Sequence, residues 1–219
     1  MIIKDTYSHN DGEKFINENH KSEYDEIVSA INNINIRDAI SKVSKEKSKD
    51  LIFSPIDLNI QLKSYLSNLG WTKKKENSKK GFQEPRIYFE EGGREYREMD
   101  GIKNKVGLEI QFGKYSYMAY DIFSKMPLFK KRGLIDCGIE VVASHNMIKD
   151  FSSGVSSFKQ IVFDMQERGV SNLDIPTLIL GIDCDDDEWK LVDEIRENFK
   201  TNKNIRQVNL KGNKPGPKN

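Results

Sequence analysis

A chain of 219 residues with 37% hydrophobic and 32% charged residues can bury one compact core beneath a very polar surface. The formal net charge of +1 excludes a globally basic nucleic-acid binder, so any DNA contact must come from local patches. No apolar run approaches the ~18 residues of a membrane span and no secretory apolar core opens the chain, so we expect a soluble, cytoplasmic protein.

Taken in chain order, residues 12–33 read as mostly helical, with Phe15, Ile16, Tyr24, Ile27, Val28 and Ile31 as apolar positions. Ser54-Pro55 opens a second helix: Ser can cap, and Pro is tolerated at the first helical position. Leu58, Leu62, Tyr65, Leu66 and Leu69 follow at helical spacing, and Gly70 stops the run. The Lys-rich segment 72–84 reads as a loop. Residues 86–90 and 105–112 read as neighbouring strands around a Gly-rich turn. An amphipathic helix is expected over 115–126, a strand over 134–142 and a helix over 155–168. Pro176 to Ile182 is a continuous apolar run, as in a buried strand. Residues 183–188 hold four Asp and one Glu ahead of Trp189, Leu191, Val192, Ile195 and Phe199, which suits the first turn of a helix. Residues 1–210 are expected to form a single domain, and 211–219, with two Pro and two Gly, a flexible basic tail.

Charge is segregated along the chain. Residues 200–219 carry six Lys or Arg and no acid, and Lys73-Lys74-Lys75, Lys79-Lys80 and Lys130-Lys131-Arg132 form further basic clusters. Each is either a solvated face or a nucleic-acid contact. Cys137 and Cys184 form no CxxC pair, and reduced thiols are the simplest account. His9, His20 and His145 are scattered and read as surface or capping residues rather than metal ligands. Walker loop, zinc-ligand spacing and nucleophile elbow are all missing from the sequence.

The informative stretch is Met99-Asp100, eight residues, then Glu109-Ile110-Gln111-Phe112-Gly113-Lys114. Val106, Leu108, Ile110 and Phe112 alternate, so in a strand they face one way and Glu109 and Gln111 the other. An acid at a strand entrance can converge with Glu109 and Gln111 on one hard cation, which prefers carboxylate oxygens and few protein ligands. That suits metal-assisted phosphodiester cleavage. The competing reading is a half-buried strand with a polar solvent face, and spacing alone leaves it open.

The words around the motif carry more. VGLEIQFGKYSYMAYDIF (106–123) resembles the catalytic strand and following helix of the BstYI and BglII type II restriction endonucleases. YSHNDGEKFI (7–16), SKEKSKDLIFSPIDLN (44–59), LGW (69–71), IDCGIEVV (135–142), FSSGVSSF (151–158) and IPTLILGI (175–182) resemble that family in the same order, and more closely its BstYI branch.

The resemblance implies an α/β fold with a central mixed β-sheet flanked by helices, the restriction-endonuclease-like core. It implies that Asp100 and Glu109, helped by the Ile110 carbonyl, hold Mg²⁺. Gln111 stands where the wider superfamily has Lys, and it would orient the attacking water through its amide. Lys114 matches a base-recognition position, and Lys can donate to guanine O6 or N7; the competing reading is a phosphate contact or plain surface charge. Ser152 and Ser153 match a second recognition loop; the competing reading makes them N-cap residues of the helix beginning near Val155. Ser44, Lys45, Glu46 and Lys47 match a block without individual roles. His9, in the YSHNDG segment, could sit in a loop near DNA. Tyr115, Tyr117, Tyr120 and Phe123 read as core or dimer-interface residues rather than base-stacking groups.

The implied activity is Mg²⁺-dependent cleavage of double-stranded DNA at a palindrome with a GATC core, RGATCY being the expected site. The products would carry 5′-phosphates and 5′ GATC overhangs. A palindrome read by one small domain calls for a homodimer. A cognate DNA methyltransferase would be the functional partner. Two rivals are a repair or structure-selective nuclease of the same superfamily and a DNA-binding protein with a decayed site. The ordered recognition-loop matches argue against the first, and intact Asp100, Glu109 and Gln111 against the second.

Overall fold

The computed structural model describes residues 1–44, 50–75 and 81–201. Lys45, Glu46, Lys47, Lys79-Lys80 and the basic tail 211–219 lie outside the described residues. In chain order, β1 (Ile2–His9) leads to α1 (Gly12–Asn19), α2 (Lys21–Asn32) and α3 (Ile36–Ala39). Short strands β2 (Lys42–Val43) and β3 (Leu51–Ile52) precede α4 (Pro55–Asn68). Then come β4 (Lys73–Lys74), β5 (Phe82–Gln83), β6 (Arg86–Tyr88), β7 (Tyr96–Glu98), β8 (Gly101–Lys103) and β9 (Val106–Gln111). A nearly continuous helix follows: α5 (Tyr115–Tyr120), a π-helical turn (Asp121–Lys125) and α6 (Met126–Lys131). β10 (Cys137–Ala143), α7 (Phe158–Arg168), β11 (Thr177–Asp183) and α8 (Asp186–Thr201) complete the described chain.

The central sheet is mixed, in the order β1-β11-β10-β9-β8. β9, β10 and β11 run parallel to one another, and β1 and β8 close the two edges antiparallel. Nearly every residue of β9, β10 and β11 is buried, because helices cover both faces. The expected α/β architecture is what the structure has. Among the described residues no helix is long and apolar enough to cross a membrane.

Local chemistry explains the elements that were legible. Ser54 Oγ accepts the Asp57 N–H and Pro55 takes the first helical position of α4. At its other end Gly70 (φ 89°) lets Trp71 N–H reach Leu66 O and Gly70 N–H reach Ser67 O, a Schellman closure. The acidic run starts α8 as expected. Asp185 accepts the Asp187 and Glu188 N–H groups, and Glu188 returns a bond to Asp185 N–H.

Several expectations are corrected. β6 pairs with β7, not with β9; the Gly92-Gly93 turn belongs to that hairpin, whereas β9 pairs with β8 and β10. Asn104 (φ 44°) and Lys105 (φ 68°) both adopt left-handed conformations, and this two-residue turn folds β8 back onto β9. The helix expected over 12–33 is broken at His20, which stacks on Phe15 at 5.8 Å. The loop expected over 72–84 contains the paired β4 and β5. The helix expected from Val155 begins at Phe158, and its cap is Ser157 with Gln160 in a capping box, so Ser152 and Ser153 are not the caps. His9 is buried rather than on the surface, with Nε2 2.9 Å from Asp174.

Candidate active site

Asp100 stands immediately before β8, and the tight β8–β9 turn brings it alongside β9. Its Oδ2 accepts the Ile110 N–H at 2.8 Å, and its Oδ1 lies 2.6 Å from Lys63 Nζ on α4. Lys63 also donates to the buried Glu84 at 2.9 Å. Burial opposes the charge on Lys63, but Asp100 and Glu84 raise its pKa above the ordinary lysine value.

Glu109 projects from the opposite face of β9 to Leu108 and Ile110, as the alternation requires. It is only 3% exposed, so the face is not a solvated one. The helix from α5 to α6 covers it. This close approach needs glycine in β10: a Cβ on Gly138 would lie 2.4 Å from Met126 Sδ. Burial first, then the charge of Asp100, pushes the Glu109 carboxyl well above its usual pKa; Lys125 works in the other direction. Lys125 Nζ is 2.8 Å from Glu109 Oε1, as an ion pair without aligned hydrogen-bond geometry, and 2.6 Å from Asp121.

Gln111 lies two residues on and is held at both ends of its amide. Its Oε1 accepts the Gly113 N–H at 2.8 Å, and its Nε2 donates to Asp121 at 3.1 Å. One amide N–H is left for another acceptor. Thus Asp100, Glu109, Ile110 and Gln111 share one end of β9.

The neighbouring charges were not singled out from the sequence. Glu140 pairs in register with Glu109 across β9 and β10, is fully buried, and among the described residues has no hydrogen-bond partner on either oxygen. Burial, then the charges of Asp121 and Glu109, raises its pKa well above normal. A lone acid inside the apolar run of β10 was the signal for it. Lys125 and Asp121 stand one helical turn apart on the helix after β9, a pattern that usually marks only a solvated pair.

The donor set fits a hard cation held by few protein ligands. Two carboxylates, Asp100 and Glu109, flank the Ile110 backbone, and among the described residues neither Glu140 oxygen has a hydrogen-bond partner. Among the described residues no three His, Cys, Asp or Glu side chains converge as a complete ligand set. The remaining positions would belong to main chain, water and phosphate.

Beyond β9 the chain runs directly into the candidate recognition residues. Lys114 is exposed and precedes α5 without capping it through its side chain. Its backbone bridges Val155, and Ser156 donates from both N–H and Oγ to Gly113 O at 3.0 Å. The half-buried Ser152 accepts from Lys42 Nζ at 2.6 Å. Of the aromatic group, Tyr115 and Phe123 pack on the cluster between α5 and α7, whereas Tyr117 is 58% exposed.

No curated protein sequence matches the chain. A solved structure does: restriction endonuclease BglII complexed with a DNA 16-mer superimposes with a TM-score of 0.63. The two share 19% identity, over 83% of this chain and 78% of that one, which establishes the common fold. The family model for restriction endonuclease BglII/BglIII matches residues 4–182. A match running from the first strand of the sheet into its last makes the chain a member of the restriction endonuclease BglII/BglIII family, and so a type II site-specific endonuclease.

Proposed function

We propose that the enzyme uses Mg²⁺ to cut both strands of a palindrome with a GATC core, RGATCY being the expected site, as in the BstYI branch. The products would be 5′-phosphates with 5′ GATC overhangs. The observation that carries this reading is the Asp100 carboxylate bound to the Ile110 N–H beside the buried Glu109. Asp100 and Glu109, with the Ile110 carbonyl, would hold the ion. When bound, a divalent ion polarises the scissile phosphate and lowers the pKa of a coordinated water.

The chain's own groups then divide the remaining work. Gln111 is fixed by Gly113 and Asp121, so its free amide N–H can orient the attacking water. Lys125 is no base: Glu109 and Asp121 outweigh its burial and raise its pKa, so it stays charged at neutral pH. It offsets the concentrated negative charge beneath the strand. Lys63 does the same for Asp100 and Glu84. Lys114, Ser152 and Ser153 would contact DNA at base edges beyond the cut.

We read residues 1–210 as one endonuclease domain and 211–219 as a tail. Two-fold symmetry of the site calls for a homodimer, one active site per strand, with exposed Tyr117 near the interface. Sedimentation should show a dimer free or on a palindromic duplex. In the cytoplasm, a cognate DNA methyltransferase would protect the same sequence. Run-off sequencing of phage DNA digested in Mg²⁺ tests the whole reading. We expect every cut at RGATCY with a 5′ GATC overhang; cuts sharing no GATC core would reject it.

A further inference from the structure

Glu109 and Gln111, the two polar side chains that β9 turns toward the covering helix, are both tied to a single turn of it. That turn is π-helical: Met126 N–H reaches back to Asp121 O. Such turns concentrate at functional sites. Asp121 and Lys125 stand at its two ends, and both meet the strand. Asp121 Oδ2 accepts from Gln111 Nε2 at 3.1 Å, while Asp121 Oδ1 lies 2.6 Å from Lys125 Nζ. Lys125 Nζ in turn lies 2.8 Å from Glu109 Oε1. The side chains of Lys125, Asp121 and Glu109 are 12%, 4% and 4% exposed, so this is not a surface pair weakened by solvent screening.

Which Glu109 oxygen is taken has a chemical consequence. Lys125 lies against Oε1, an oxygen that is buried without a hydrogen bond among the described residues. A carboxylate with one oxygen covered by a fixed ammonium can offer a cation only the other oxygen. Chelation through both would require Lys125 to leave, and Asp121 holds it in place. This distinction separates two common hard cations. Ca²⁺ takes about six to eight oxygens in flexible geometry and accepts both oxygens of one carboxylate. Mg²⁺ is smaller and demands near-ideal octahedral geometry. The two oxygens of one carboxylate subtend far less than the right angle between octahedral neighbours, so Mg²⁺ favours one of them.

We propose that Lys125 is a positioning residue for the metal: by capping Glu109 Oε1 it restricts Glu109 to one ligating oxygen and so tunes the site for Mg²⁺ over Ca²⁺. Asp121 is the strut that keeps the ammonium there. This inference rests on the reading above that Glu109 is a metal ligand.

The test follows bound Mn²⁺ by electron paramagnetic resonance on the full-length protein without DNA. Displacement by Mg²⁺ or by Ca²⁺ gives the ratio of their dissociation constants. The variants are Lys125→Met, which removes the ammonium and keeps an apolar stem, and Asp121→Asn, which keeps Lys125 and weakens its anchor. Thermal melts in EDTA confirm that each is folded, and Asp121→Asn carries the test if Lys125→Met is not. Lys125→Met should tighten Ca²⁺ relative to Mg²⁺ by about 10-fold or more, the scale on which the outer partners of metal ligands act. Asp121→Asn should move the ratio the same way by less. Equal tightening of both ions would make Lys125 only an electrostatic competitor for the site, and equal weakening would make it a structural residue; either result overturns the proposal, as does an unchanged ratio in the folded variants. Glu109→Ala should abolish the displaceable Mn²⁺. If Mn²⁺ binding does not depend on Glu109, the metal-ligand reading itself is wrong, and the role of Lys125 falls with it.

Discussion

On one face of β9, β10 and β11, alternate positions are Val106, Leu108, Ile110 and Phe112, then Cys137, Ile139, Val141 and Ala143, then Leu178, Leu180 and Ile182, all buried in one apolar cluster. On the other face the same strands present Glu109, Gln111 and Glu140, with Gly138 admitting the covering helix and Gly107 admitting the Met99 and Ile135 side chains. Both faces are dry. On the first, dryness is the source of stability. On the second, it raises the pKa of Glu109 and Glu140. One period-two pattern thus supplies a core to one side and a reactive cluster to the other.

Mutations can separate the two faces. Asp100→Ala or Glu109→Ala should lower cleavage by about 10³-fold or more while DNA binding survives, since a hard ligand is lost and the outer surface is not. Gel-shift and plasmid-cleavage assays on the same preparation check this; wild-type turnover by either variant would remove it from the metal site. On the apolar face, Leu108→Ala should cost about 2–5 kcal/mol of stability by denaturant unfolding. Its kcat per folded molecule should stay near wild type. A collapse of kcat with unchanged stability would mean the faces are not separable.

A smaller effect comes from Glu140→Gln, which keeps the shape and removes the ionisation. Because burial raises Glu140, the folded state retains its proton above pH 4.5 where the unfolded chain has released it. Wild-type stability therefore falls as pH rises through that range. Glu140→Gln should match wild type near pH 4.5 in EDTA and gain about 1 kcal/mol or more by pH 8, roughly 2–4 °C in Tm. A difference independent of pH would show that Glu140 is not titrating in a buried site.

The smallest effect is away from both faces. Despite burial, which pushes the other way, hydrogen bonds from Arg168, the Ser171 backbone and His9 hold Asp174 well below its ordinary pKa of 3.8. Its contribution is present above pH 3.8 and is lost as pH falls through the depressed value. Asp174→Asn should cost on the order of 1 kcal/mol near pH 6. The deficit should shrink toward zero below pH 3.8, as followed by thermal melts; a deficit that persists there would indicate lost shape rather than lost charge.

One part of this arrangement is legible in the sequence and the other is hidden. Strand alternation in 106–112 and the acid before β8 are local patterns, and the resemblance of the words around them is what groups Asp100, Glu109 and Gln111. Caps and stops at Ser54, Gly70 and the 183–188 run are equally local. β1 carries no such signal, because it is an edge strand whose partner, β11, lies near the other end of the described chain. The pairing of β6 with β7 turns on which glycine turn closes which hairpin, and the left-handed Asn104-Lys105 turn carries no glycine to announce it. Glu140, Lys125, Lys63 and Lys42 acquire their meaning only from contacts across strands and helices. No spacing rule reaches from Lys42 to Ser152.

The most direct test of the account is cleavage of a supercoiled plasmid containing RGATCY sites by the full-length protein, first in Mg²⁺ and then in excess EDTA. The account predicts discrete fragments set by those sites in Mg²⁺ and intact plasmid in EDTA. Fragmentation that persists in EDTA, or intact plasmid in Mg²⁺, would contradict it.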